Sequence, residues 1–279
     1  MNKLLMLPAF MLVAPSLALA NNLQDEWESK NNENPWSGYI SADYSRNGYE
    51  DSASLANRSA SATGVVRYSF SDKSRLQVVA SGYHLSDGDE YGTRGQFWND
   101  TSISWGRNGL FKPTDGSSLS GEVRVILPTS KWSRRNDLTL GTRLKVRWSA
   151  PFDNWIEGLS LSNTLLLRKN FHEYKTAGGN QLIEYQLSSQ FSLDYVFAED
   201  FYFNIFVMPR QSWNYNGSTF DPTLLHGEEV GYQITKSISI SAGLTNGISY
   251  YNPERGSNPL NDLVDLKKTT YYAVINYQF

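Results

Sequence analysis

From Trp36 onward the chain alternates apolar and polar residues with period 2, the signature of half-buried β-strands. In the first run Trp36, Gly38, Ile40, Ala42 and Tyr44 share one face, and Ser37, Tyr39, Ser41 and Asp43 the other. Eleven further runs repeat the pattern, at 60–70, 76–80, 97–105, 119–127, 138–148, 159–167, 183–197, 201–207, 230–234, 238–244 and 271–279. The connections alternate as well. Segments 48–58, 87–95, 128–137, 170–180, 214–224 and 251–265 are long and rich in Gly, Asn, Asp and Ser. Those between them are mostly short, as at Ala198-Glu199-Asp200, with 106–118 the long exception. Long loops alternating with short turns predict an all-β, antiparallel, up-and-down arrangement of about 12 strands, the pattern of a transmembrane barrel.

The apolar faces decide between a membrane barrel and a soluble sandwich. Trp36, Tyr44, Phe70, Trp105, Trp148, Tyr185, Phe197, Phe201, Tyr277 and Phe279 stand near strand ends, whereas strand middles carry Leu, Val, Ile, Ala and Gly. Rings at both edges of an apolar band predict interfacial girdles. Gly and Ala would leave holes in a packed core but are tolerated against fluid lipid. The transmembrane β-barrel is therefore predicted over residues 36–279. An even strand count puts both termini on one side, which is read as periplasmic, with the long loops extracellular.

Residues 1–20 read as a signal peptide. Lys3 supplies the positive region, Leu4 to Ala14 the apolar stretch, and Ala18-Leu19-Ala20 the small-x-small cleavage site. Cleavage is expected after Ala20, leaving a polar periplasmic tail at 21–35.

Composition narrows the chemistry. The 279 residues hold no cysteine, 25 Lys+Arg against 28 Asp+Glu and three histidines, for a net charge of -3. Without Cys there are no disulfides, thiolate nucleophiles or cysteine zinc sites. His84, His172 and His226 lie at unrelated spacings, so no metal and no cofactor is expected. The near-neutral balance gives no footprint for nucleic acid.

The second parity faces the lumen. It collects nine bases (Arg67, Arg75, Arg124, Arg143, Lys145, Arg147, Arg168, Arg210, Lys268) and six acids (Asp43, Asp100, Glu122, Glu184, Asp194, Glu229). The expected interior is thus basic inside an acidic chain. Arg143, Lys145 and Arg147 stack on one face at intervals of about 7 Å, with Arg124 and Arg168 on the flanking strands. Such a patch on a low-dielectric wall attracts anions, and the guanidinium fork suits carboxylate and phosphate. Alternatively these bases form an ion-pair network with Glu122, Glu184 and Asp194 that fills the lumen. Inward Tyr39, Tyr83, Tyr202 and Tyr272 suit either stacking on sugar rings or filling space. The leading functional reading is an outer-membrane channel for small hydrophilic solutes, leaning to anions such as acidic oligosaccharides. A non-conducting barrel with binding or export-assisting loops is a further alternative; loop aromatics Trp132, Trp213, Tyr215 and Tyr251 would serve it.

Two stretches resemble known families. Tyr271, Ala273, Ile275, Tyr277 and Phe279 alternate up to a terminal aromatic. This resembles the C-terminal strand of bacterial outer-membrane proteins, and implies recognition by the barrel-assembly machinery in a membrane of lipid and lipopolysaccharide. The stretch His84-Leu85-Ser86-Asp87-Gly88, followed by Asn99, resembles the His-x-Ser-Asn-Gly motif of outer-membrane phospholipase A. The resemblance implies Ser86 as nucleophile, His84 as base and Asn99 as the residue orienting the histidine. Asp87 stands where that family has Asn, and the motif falls in the first third of the barrel. By parity His84, Ser86 and Asn99 are all expected on the lipid-facing side.

Overall fold

The structure, a computed structural model, describes residues 34–48, 58–70, 73–86, 94–113, 115–198, 200–249, 251–252, 256–257, 266 and 269–279. The signal peptide read at 1–20, nearly all of the polar tail at 21–35, and Lys268 lie outside the described residues.

Each of the twelve alternating runs is a barrel strand. They are β1 (Trp36–Asn47), β2 (Arg58–Ser69), β3 (Ser74–Leu85), β4 (Gly95–Trp98, resuming as Thr101–Phe111), β5 (Ser118–Leu127) and β6 (Leu138–Pro151). β7 (Leu159–His172), β8 (Ile183–Ala198), β9 (Phe201–Asn214), β10 (Thr223–Gln233), β11 (Ile238–Ser249) and β12 (Thr270–Gln278) follow. A five-residue helix, α1 (Lys131–Arg135), sits in the loop between β5 and β6. Every strand pairs antiparallel with its sequence neighbours, and β1 pairs with β12 to close the sheet. No described helix is long and apolar enough to cross a membrane.

Closure is sealed at the chain terminus. Gly38 and Phe279 exchange both backbone hydrogen bonds, at 2.9 and 3.0 Å. The Phe279 ring lies over Gly38, where a Cβ would meet that ring and the Val65 carbonyl oxygen. Short turns close the same end. At Ile234–Ser237, Thr235 Oγ1 accepts from the backbone N–H groups of Ser237 and Ile238, at 3.2 and 3.0 Å. Rings form a belt here: Trp36 and Tyr68 meet edge-on at 5.0 Å, Tyr68 and Phe70 at 5.1 Å, and Phe201 meets Tyr232 at 4.5 Å. Tyr44, Trp98, Phe171 and Tyr271 mark the opposite edge of the apolar band, and all are exposed.

Exposure alternates along the strands as the sequence predicts. Ile40, Val66, Leu76, Val78, Leu144, Leu165 and Ile275 point out, and Tyr39, Val65, Gln77, Ser162 and Val274 point in. Polar Asn163, on the outward parity, has its Nδ2 donating to Ser189 Oγ on β8 at 3.0 Å, so the group is satisfied within the wall.

Among the described residues the register shifts by one residue at four places, one of them between Val196 and Ala198 at the end of β8. Tyr83 pairs with Phe97, whereas Val79 pairs with Ser102, so one extra residue enters β4 at Asn99–Asp100. A one-residue bulge exchanges faces. Phe97 consequently stacks on inward Tyr83 at 5.3 Å, and Trp98 faces outward. Further register shifts fall between Leu138 and Leu140 and between Ile183 and Tyr185. The first leaves Leu138 buried, and the second sends Glu184 to Lys169, 3.6 Å away, on the outer side instead of into the lumen.

Gly38→Val is expected to cost about 1–3 kcal/mol through overpacking at the seam. A lower temperature for loss of the compact, heat-modifiable gel band, relative to wild type, checks it.

Candidate functional site

The lumen is the candidate site, and its two walls differ in chemistry. On β5, β6 and β7 the alternating register delivers bases side by side. Arg124 pairs with Arg143, and Arg143 with Arg168, so three arginines stand in one row across three adjacent strands. Lys145 and Arg147 continue the wall along β6, opposite Glu122 and Ser120. Five bases predicted from sequence are thus brought together as neighbours.

Like charges at the strand spacing of about 5 Å repel by roughly 3 kcal/mol at an effective dielectric near 20, so the row needs compensation. Glu122 supplies it. Its Oε1 accepts from Arg124 Nε at 2.9 Å and from Arg143 Nη2 at 3.3 Å, while Lys145 faces it across the ladder. The Glu122 side chain is 11% exposed, and those of Arg124 and Arg143 17% and 26%. Arg168 Nε donates to Asn170 Oδ1 at 2.7 Å, and Arg147 Nη2 to Ser162 Oγ at 3.4 Å. Arg143 Nε is buried with no hydrogen-bond partner among the described residues. Weaker compensation comes from a distance, since Asp194 lies in the field of Arg147 and Arg168 in that of Asp100, whereas Arg210 adds a further like charge near Arg168. Of the three acids in the alternative network, Glu122 bonds the patch, Asp194 reaches it only through space, and Glu184 belongs to Lys169.

The opposite wall is aromatic and closely packed. Tyr202 on β9 lies across Gly231 on β10, and Tyr272 on β12 across Gly243 on β11. Side chains on those glycines would strike the tyrosine rings. Both hydroxyl groups converge on Glu229, donating to Oε1 at 3.0 Å and Oε2 at 2.9 Å. Glu229 is 1% exposed. Neutral donors satisfying a buried carboxylate offset part of its desolvation. Beside it Asn204 Nδ2 donates to Asp194 Oδ1 at 2.6 Å. From β2, the Arg67 guanidinium sits 5.3 Å from the Tyr39 ring centre and its Nε donates to Gln77 at 2.8 Å. Tyr39 in turn lies within electrostatic reach of Arg124 and Glu122 on the facing wall.

Asp100 has a further role. Displaced by the bulge, it accepts from Ser130 N at 2.9 Å and from Ser133 Oγ, tying α1 and its loop to the barrel end. Sequence reasoning counted this acid but missed the tether, because neither the bulge nor the α1 cap is visible in the alternation.

The phospholipase-like residues are not assembled. His84 and Ser86 are exposed on the outward parity of β3 and its end. Asn99 lies on the inward side, its Nδ2 donating to Ser81 Oγ at 2.9 Å, because of the β4 bulge. Among the described residues no hydrogen bond joins His84 to Ser86 or to Asn99, and no group of His, Asp and Glu could hold a metal ion.

The sequence matches no protein-family profile and no curated relative. The fold is similar to solved structures. An outer membrane channel of the COG4313 group from Pseudomonas putida F1 aligns with TM-score 0.60 and 12% identity, over 88% of this chain and 95% of that one. A NanC porin aligns with TM-score 0.53 and 12% identity, over 86% of this chain and 98% of that one. The chain is a closed twelve-stranded antiparallel barrel, a fold similar to those of these outer-membrane structures.

Tyr272→Phe removes one donor from buried Glu229 and is expected to cost about 1–3 kcal/mol. Gly243→Ala, which pushes the Tyr272 ring aside, should destabilise at least as much. Urea unfolding followed by tryptophan fluorescence in lipid vesicles compares the two.

Proposed function

We propose that this protein is an outer-membrane channel for small hydrophilic solutes, selective for anions, with acidic oligosaccharides as a candidate substrate class. The observation that carries the reading is the basic wall: Arg124, Arg143 and Arg168 in register, with Lys145 and Arg147 beside them, and Glu122 the one carboxylate bonded to them among the described residues. Bases drawn together from three adjacent strands give this wall its positive character, and a guanidinium fork suits carboxylate and phosphate oxygens. The inward tyrosines and Arg67 narrow the passage, which favours a small unitary conductance over that of a wide pore.

In this reading the long loops are extracellular and both termini periplasmic. Residue α1 Lys131, exposed in the β5–β6 loop, reports orientation. Lys131→Cys in this cysteine-free chain should react with a membrane-impermeant maleimide in intact cells. Absence of labelling until the outer membrane is opened would reverse the orientation.

Single-channel recording across a salt gradient tests the channel. Wild type should show stable steps with an anion-selective reversal potential. Arg143→Ser/Arg147→Ser should move that potential towards zero or to cation preference, whereas Ser86→Ala should leave it unchanged. Silence from folded, heat-modifiable protein would refute the channel, and an unchanged reversal potential in the double variant would refute the role of the wall.

A further inference from the structure

The short helix α1 carries three bases, Lys131, Arg134 and Arg135, and all three are exposed. At about 3.6 residues per turn, Lys131 and Arg135 share the face opposite Ser133, and Arg134 and Trp132 flank it. Like charges at i and i+4 destabilise a helix. Among the described residues none of the three bases forms an ion pair. The acids that follow along this rim are engaged elsewhere: Asp137 lies in the field of His172, and the Glu173 side chain bonds Tyr174.

The helix is fixed at both ends. Before it, Thr129 Oγ1 donates to Asn99 O at 3.1 Å and accepts from Thr101 N at 2.8 Å. Ser130 Oγ caps it by accepting from Ser133 N at 3.0 Å, and the Asp100 carboxylate holds Ser130 N and Ser133 Oγ from below. After it, Asp137 O accepts from Glu173 N at 2.9 Å. Ser130 and Ser133 are buried, whereas Trp132 is 50% exposed among the bases. The same Asp100 carboxylate lies within electrostatic reach of Arg168, so α1 stands where the basic wall meets the long-loop end. The Arg124–Arg143–Arg168 row begins five residues into β6. At about 3.3 Å per residue and a strand tilt near 40°, that is about 13 Å below the start of the strand.

We propose that α1 is an outer subsite for acidic oligosaccharides, with carboxylates at Lys131, Arg134 and Arg135 and a sugar face against Trp132. Bases bind carboxylate oxygens through charge-assisted hydrogen bonds, and an indole ring offers an apolar face beside them. A solute of several acidic units reaches from α1 to the Arg143 row, whereas a single acidic sugar occupies one or the other. The two subsites then act as linked modules, and chain length is read as avidity. Because the helix is already held by Asp100 and Glu173, binding need not order it. The inference deepens the anion-channel reading and rests on it for the class of solute.

Isothermal titration calorimetry of the full-length protein in detergent tests it, with a linear tetrasaccharide of uronic acid units and the matching monosaccharide. Wild type should bind the tetrasaccharide about tenfold more tightly than the monosaccharide, or better. Lys131→Ser/Arg134→Ser/Arg135→Ser should lose about that factor for the tetrasaccharide and about twofold at most for the monosaccharide, which the lumen row still holds. Trp132→Ala should weaken the tetrasaccharide severalfold. Should the triple variant fail to fold, Arg134→Lys/Arg135→Lys keeps the charge, loses the forks, and should bind the tetrasaccharide with intermediate affinity. Equal tetrasaccharide affinity of wild type and the folded variant would overturn the subsite. So would an equal loss for the monosaccharide, or equally tight binding of an uncharged tetrasaccharide of glucose. Calorimetry needs neither current nor orientation, so silence in the bilayer and failure of the Lys131→Cys labelling are separate results. Loss of tetrasaccharide binding in Arg143→Ser/Arg147→Ser alone, with the α1 variants unaffected, would overturn the subsite and leave the wall.

Discussion

Hydrocarbon offers no partner to a backbone N–H or C=O, so a sheet that crosses lipid must close on itself. That single requirement organises this molecule. Closing β12 onto β1 satisfies the edges, fixes the register of every strand, and thereby assigns each residue to one of two environments. The outer surface is selected for compatibility with acyl chains and headgroups. The inner surface is selected for whatever the lumen must hold. Glycine at position 38 is part of the same requirement, because the seam has no room for a side chain beneath the Phe279 ring.

Within the lumen the walls solve opposite electrostatic problems. The β5–β7 wall concentrates positive charge and moderates it with one shared carboxylate, Glu122. The β9–β12 wall buries a carboxylate, Glu229, and satisfies it with two neutral phenols. The first arrangement sets charge against charge, and the second uses hydrogen bonds that leave the donors uncharged. Field lines are confined by the surrounding low dielectric, so their effect on a solute is larger than the same charges would have on an open surface.

Much of this was legible in the sequence because the strand period is strict. Twelve alternating runs located twelve strands, and the 143–145–147 spacing with Arg124 and Arg168 located the basic wall. What failed was local. Alternation carries no record of an inserted residue, so Asn99 was assigned to the lipid side and lies towards Ser81, and Glu184 was assigned to the lumen and lies with Lys169. The Glu229 clamp was also invisible, although Tyr202, Tyr272 and Glu229 were all placed inward. Which glycine lies opposite which tyrosine depends on register, and register is set by turn and loop lengths rather than by either strand alone. A search for inward Tyr opposite Gly, made after the hairpins had been aligned, would have found Tyr202 with Gly231 and Tyr272 with Gly243.

Those two tyrosine–glycine pairs shape how the protein can vary. A side chain at Gly231 or Gly243 collides with a ring, and loss of the ring leaves a bare glycine and a buried carboxylate short of a donor. Neither member can drift alone without passing through a less stable intermediate, so each pair is inherited as one unit spread over two strands. Away from the Gly38–Phe279 seam the aliphatic positions of the lipid face have no such coupling, since one aliphatic residue there replaces another without consulting its neighbour. Two adjacent surfaces of the same strands therefore accept substitutions by different rules, one position at a time outside and two at a time within.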